Sequence, residues 1–518
     1  MDADEDLTGK RRLGWNIAVA WLGQVVVVVS GFVIPRLIDR QLDQAALGIW
    51  DFGWSTVTYF RFFGLGLGGG LNRYVAYYRA KKAHDELTRA VSSTAFLQLV
   101  VAAVTVLTAF LVGHASHLIF RGSSADLAFS ARWLITLLGA GLAVRMLCWP
   151  ARGVLTGHHR WATSSATTAC GDILLLVLMM LSLYNGGGLI ALGLSFLGTS
   201  IFTETLRTYF ARRVYGDRFL VWSAVDRRML KKMVLFGIKT NVGSLPVLLV
   251  VQTVSLILAS VSGPAALAIY TRPLSLTRHA QAIVVKFADI LTSTTAGLHG
   301  LAREAEIREF FITGTRSAFA ITLPLLLIVA VYGDVMVRVW MGDGYVDPLL
   351  APLLAAGMLL PYANAAGMRI LIGLNAHGRI AILSITASSI MMIIGVAIAF
   401  AVGWSPRTAA VVCGVSLTAG PGIIVPLGAC RRLKVGIIDY LKRVFALPIA
   451  CNLVFAAIIA IPRLHTARPS VAESLLAILV GGAVLAALYW FRLLQRETKQ
   501  YLLSRVPLRY RTADAPGE

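Results

Sequence analysis

Apolar runs of about twenty residues, each closed by a short polar or basic break, recur along almost the whole chain. The first, GWNIAVAWLGQVVVVVSGFVI, follows Lys10, Arg11 and Arg12. It is too long for the apolar core of a signal peptide and lacks a small-residue cleavage site. A bilayer core of about 30 Å takes roughly 20 helical residues. The pattern therefore predicts an all-α polytopic membrane protein with about fourteen spans. They lie at 14–34, 47–71, 90–112, 128–151, 162–184, 187–207, 234–260, 265–297, 311–332, 349–373, 379–402, 407–429, 441–461 and 472–491.

The spans contain a repeat. AALGIW at 45–50 returns as AALAIY at 265–270, 220 residues on, and GVLTGHHR (153–160) resembles RILIGLNAHGR (369–379). The expected organisation is an N-terminal six-helix lobe, 1–220, and a C-terminal six-helix lobe, 221–435. Residues 436–518 add two extra helices and a basic tail. Six is even, so both halves enter the membrane from the same side and the repeat is parallel, with its pseudo-axis along the membrane normal.

Composition agrees: 57% of the 518 residues are hydrophobic and 14% charged, too apolar for a water-soluble chain of this size. A net charge of +22 would suit nucleic acid, but the cations sit between apolar runs and not on one soluble face, so no nucleic-acid partner is expected. They concentrate in alternate loops, among them Arg79, Lys81, Lys82 and Arg89; Arg212, Arg213, Arg227, Arg228, Lys231 and Lys232; and Arg431, Arg432 and Lys434. The intervening loops hold few, such as Arg36, Arg40, Arg338 and Arg407. Positive loops stay on the cytoplasmic side, so both termini are expected there. The five cysteines fall in or beside apolar runs without metal or redox spacing, and read as small buried hydrophobes.

Charges inside spans carry the candidate chemistry. Arg61, Arg145, Lys239, Arg272, Arg278 and Lys286 would cost about 2.5 to 3.5 kcal/mol each facing lipid, a sum beyond a folding margin of about 5 to 15 kcal/mol. They must face a wet cavity or a partner. The acids, Asp51, Asp172, Glu204 and Asp289, are fewer. The balance is cationic and suits an anionic substrate such as a diphosphate. Along the eighth span Arg278, Gln281, Ala282, Val285 and Asp289 share one helical face. Arg61, Arg278, Arg145, Arg272 and Lys286 are thus the candidate cavity cations. Asp172, Glu204 and Asp289 are the candidates for proton or sodium coupling. Structural readings stand beside these: Lys286 with Asp289, and Glu204 with Arg207, are i, i+3 pairs that neutralise one another, and Arg272 snorkels to the surface. GLGLGGG at 64–70 lacks the strand and helix of a phosphate loop. HxxH at 114–117 has too few ligand partners for a metal. Motifs for ATP hydrolysis or covalent catalysis are absent, so neither an enzyme nor a cofactor is expected.

The opening GWNIAVAWLGQ, then VIPRLIDRQLDQAALGIWDF and FFGLGLGGGLNRYVAYYRA, together with the half-repeat, resembles the polysaccharide transporters (Wzx-like O-antigen flippases) of the multidrug/oligosaccharidyl-lipid/polysaccharide exporter superfamily. The resemblance covers most of residues 10–435. It implies a V of two lobes around a cavity in a bacterial inner membrane, moving a polyprenyl-diphosphate-linked oligosaccharide to the outer leaflet. It also implies membrane lipids, a polysaccharide polymerase and glycosyltransferases as partners, and two last helices that cradle the lipid tail. A multidrug-type cation antiporter shares the architecture but calls for acidic cavity walls. A membrane polymerase or ligase calls for a large outer loop, which the chain lacks.

Overall fold

The computed structural model describes residues 10–60, 64, 71, 74, 75, 77–79, 81–120, 124–158, 160–216, 220–241, 243, 245–466 and 468–493, and no strand occurs among them. A first lobe is built from α1 (Lys10–Gln41), α2 (Gln44–Phe60), α3 (His84–Ile119), α4 (Ala125–Leu147), α5 (Trp149–Gly157), α6 (Trp161–Tyr184) and α7 (Leu189–Tyr215). The basic α8 (Arg227–Asn241) leads into a second. That lobe holds α9 (Leu245–Ser262), α10 (Pro264–Gly300), α11 (Glu304–Met341), α12 (Leu350–Ala363), α13 (Ala365–Gly373), α14 (His377–Val402), α15 (Pro406–Leu417) and α16 (Val425–Leu433). α17 (Leu447–His465) and α18 (Val471–Leu488) close the described chain. Among the described residues eleven helical stretches are long and apolar enough to cross a membrane. The expected spans 14–34 and 265–297 fall on α1 and α10, and the expected span 47–71 begins on α2, most of its part beyond Phe60 lying outside the described residues.

Local chemistry sets the helix ends. Ser405 with Thr408, and Ser470 with Glu473, form reciprocal caps that satisfy otherwise orphaned N–H groups at the starts of α15 and α18. Gly263, at φ +87°, makes the one-residue junction between α9 and α10 that a side chain would strain. Two expected spans are broken helices: Cys148 separates α4 from α5 and Asn364 separates α12 from α13. α5 and α13 are each nine residues long and hold the repeated motif. A π-helical stretch, Thr418–Ile424, precedes α16; the Asn364 amide donates to the Gly422 carbonyl within it (2.9 Å), and Tyr440 donates to Asn364 Oδ1 (2.7 Å).

Burial runs inward as in a protein dissolved in lipid. α14 turns Ile382, Leu383, Ile393, Ile398 and Phe400 outward, and in hydrocarbon such a face costs nothing. Cys170 is exposed on α6, contrary to the buried place expected for every cysteine; lipid tolerates a small apolar thiol as well as a core does. α17 and α18 pack on each other and α17 on α11. Tyr332 donates to the Ile459 carbonyl (2.6 Å), and Arg463 pairs with Asp334.

The lobes meet through α2 against α9 and α10, and through α1 against α11. Among the described residues one group of these contacts lies at the end carrying residues 42–43, 263 and 342–346, and at the other end of α2 Tyr59 donates to the Leu249 carbonyl (3.0 Å). The repeated segments AALGIW and AALAIY face each other there. Thr271 donates to Asp51 Oδ2 at 2.5 Å, a pair 220 residues apart, which is the repeat shift itself. Residue and repeat-equivalent therefore touch on the pseudo-axis. Arg272 is ion-paired with the same carboxylate, and its guanidinium lies 5.4 Å from the Trp340 ring centroid. Around this core Arg36 donates to the Met341 carbonyl, Tyr345 to Asp39, and Trp340 to the Phe32 carbonyl (2.7 Å).

Candidate functional site

Beyond this seal a cavity of about 860 Å³ separates the lobes, at the upper end of the range for small-molecule pockets. α9, α10, α12 and α13 supply most of its wall, and Thr58 and Trp149 complete it from the first lobe. Its polar lining includes Arg278 and Gln281 of α10, Gln252 of α9, Asn364 and Arg369. The described lining contains no carboxylate. Val285 joins Arg278 and Gln281 at the wall, so three members of the expected stripe point to one space. Asn364 is engaged by Tyr440 and Gly422.

A second cavity of about 210 Å³ lies inside the first lobe, between α2, α4, α5, α6 and α7. Arg145, Arg152 and Arg207 meet Asp172 and Glu204 around it, with Trp54 and Trp149 among its apolar walls. Arg145 Nε donates to Ser200 Oγ (2.9 Å) and its guanidinium lies 4.6 Å from the Phe196 ring centroid. Arg207 is ion-paired with Glu204 and donates to Thr168 Oγ1 (2.9 Å). Trp149 lines both cavities. The turn at Cys148 puts it there.

The sequence-derived residues therefore scatter. Arg278 lies in the large cavity, and Arg145, Asp172 and Glu204 in the small one. Arg272 lines neither: it is 3% exposed and bound to Asp51, where a snorkelling or cavity position was expected. Six residues from Arg278, it stands about 120° away around a helix of 3.6 residues per turn, on the face turned to α2. Lys286 is exposed on α10 and lines neither cavity; eight residues from Arg278 is about 80° off the stripe. Asp289 lies on α10 with its side chain outside the described residues, as is that of Lys239 on α8. Arg61 and residues 65–70 of GLGLGGG lie outside the described residues altogether. Arg369, Arg152 and Arg207 were not among the expected cavity cations, yet each lines a cavity. The repeated motif was the signal for the first two, since α5 and α13 begin at the cavity wall.

Two lobes of apolar helices enclose a cavity with a few polar groups in its wall, and the comparisons show that this fold is shared with transporters. The chain belongs to the polysaccharide biosynthesis protein family, whose model matches residues 13–292. No relative is found among curated sequences. An inward-facing multidrug resistance MATE family transporter of the MOP superfamily superposes with a TM-score of 0.66 at 16% identity, over 81% of this chain and 98% of that one. The lipid II flippase MurJ, in an inward closed conformation, gives 0.64 at 14% identity, over 92% of this chain and 100% of that one. A MOP superfamily transporter from Pyrococcus furiosus, described by the reverse polarity of its binding pocket, gives 0.59 at 16% identity, over 81% and 94%. The family resemblance in the sequence and the all-α two-lobed architecture are thereby borne out, and these structural neighbours are transporters or flippases.

Proposed function

We propose that the protein moves a polyprenyl-diphosphate-linked oligosaccharide from the cytoplasmic to the outer leaflet of a bacterial inner membrane, by alternating access around the interlobe cavity. The observation that carries this is the large cavity with Arg278 and Arg369 in its wall and no carboxylate in its described lining. Guanidinium groups bind phosphate oxygens in forked pairs. A cation antiporter needs the opposite sign, and the fold it shares does not supply it. With the termini cytoplasmic, the seal lies at the outer end and the cavity is held on the cytoplasmic side of it.

Only the head needs shelter. A polyprenyl chain left in lipid avoids about 0.8 kcal/mol per CH₂ of transfer, while each unpaired hydroxyl in hydrocarbon costs about 2 to 7 kcal/mol. A cytoplasm-negative potential drives each negative charge outward by about 2.3 kcal/mol per 100 mV, enough to bias export. A coupled proton step would use Asp172, in the wall of the small cavity. Glycosyltransferases would supply the substrate and a polymerase consume it. The test is a proteoliposome assay with a fluorescent polyprenyl-diphosphate oligosaccharide. Arg278→Ala and Arg369→Ala together should abolish its movement with expression and melting unchanged; wild-type rates in the double variant would refute the proposal.

A further inference from the structure

The small cavity differs in chemistry from the large one. Three guanidinium groups and two carboxylates ring it, so a diphosphate would meet Asp172 and Glu204, and a metal cation would meet Arg145, Arg152 and Arg207. Neither ion suits such a wall. Among the described residues three buried polar atoms at the site have no hydrogen-bond partner: Glu204 Oε2, Arg207 Nε and Thr203 Oγ1. Their residues are 3%, 5% and 5% exposed. One atom accepts, one donates and one does either. Groups so buried are costly unless a partner arrives.

Each atom has almost no accessible surface as the side chains stand, so a ligand reaches it through a side-chain rotation, and one that then satisfies all three is neutral and both donates and accepts, the chemistry of a sugar's hydroxyls. Trp54 and Trp149 add flat apolar surfaces with a polar edge, the complement of a pyranose ring whose C–H face is apolar. The space, about 210 Å³, equals about seven waters at about 30 Å³ each, which one ring can displace. Trp149 belongs to both cavities, so a group held there adjoins one held by Arg278 and Arg369.

We infer that the small cavity is a carbohydrate subsite that takes the sugar nearest the diphosphate and selects which lipid-linked sugar is moved. This rests on the flippase reading above and deepens it. It assigns Glu204, Arg207 and Thr203 to recognition of the sugar's hydroxyls.

Four defined lipids test it in proteoliposomes: sugar-free polyprenyl diphosphate, and polyprenyl diphosphate carrying a hexose, an N-acetylhexosamine or a 6-deoxyhexose. Wild type should move at least one sugar-bearing lipid faster than the sugar-free one. Thr203→Val and Glu204→Gln keep shape and should each lower the ratio of sugar-bearing to sugar-free rates about tenfold, the scale of one hydrogen bond. A purely structural cluster would lower all four rates together and leave the ratio unmoved; that result, or four equal wild-type rates, overturns the subsite. Failure of the parent reading looks different: wild type moves none of the four, or Arg278→Ala with Arg369→Ala moves them all.

Discussion

Gly48 sits where α2 packs on the first residue of α10, so a single methyl group there tests whether the seal is a tight and separable contact. A Cβ added to Gly48 would lie 1.8 Å from the Pro264 carbonyl oxygen, 2.3 Å from its carbon and 2.8 Å from its Cα. All three are backbone atoms, so no side chain can rotate away. A carbon and an oxygen approach no closer than about 3.3 Å even in favourable C–H···O contacts, which requires α2 and α10 to separate by roughly 1.5 Å. The same displacement would stretch the Thr271 to Asp51 hydrogen bond from 2.5 Å to beyond hydrogen-bonding distance. Overpacking of this kind costs about 1 to 3 kcal/mol, a shift of roughly 5- to 150-fold in the balance between sealed and unsealed states. Spin labels at the exposed positions Gln41 and Gly344, in a background with the five native cysteines replaced, would read the distance across the seal by pulsed electron resonance. Gly48→Ala should add or enlarge a longer-distance population. An unchanged distribution with an unchanged melting temperature would refute the close packing on which this reasoning depends.

Three further expectations follow from the same contacts. Asp51→Asn strands the Arg272 guanidinium, 3% exposed, and should weaken the seal by about 3 to 5 kcal/mol; Arg272→Met in the same chain should recover much of that loss in a double-mutant cycle on melting temperature. Burial first, and then the hydrogen bond to Asp39, push the Tyr345 hydroxyl above its ordinary value. A raised tyrosine contributes stability that is whole below the unfolded value near 10 and lost only as pH climbs through the folded one, so the label distance should hold from pH 7 to 9, whereas Tyr345→Phe should lengthen it at pH 7. Tyr332→Phe removes a donor to the Ile459 carbonyl and should cost about 0.5 to 1.5 kcal/mol, read as earlier proteolysis of the two last helices without loss of the six-helix lobes.

Much of the architecture was legible along the chain because a bilayer reads helices one at a time. Length and hydropathy of a single run decide whether it spans, so the spans could be placed without knowing any neighbour. The AALGIW repeat likewise marked the duplication, and the structure brings its two copies face to face. The stripe through Arg278 and Gln281 was legible for the same reason, since helical periodicity alone puts those side chains on one face. Arg272 and Lys286 were misplaced by counting cations per span and not per face. Arg207 and Arg369 were passed over as cavity cations because they stand at the ends of apolar runs, where loops and cavity walls have the same composition.

By itself, then, the sequence determined the solvent, the helices, the placing of most spans through charge-free length, and the duplication of the lobes, all of which follow from local covalent order and the cost of exposing charge to lipid. Only the tertiary structure decided which cation meets which acid: Arg272 closes on Asp51 at the pseudo-axis, while Arg145 and Arg207 join Asp172 and Glu204 in a chamber of their own. Such partnerships depend on how helices far apart in the chain are rotated against one another, and rotation is fixed by packing between them and not by the order of residues within any one.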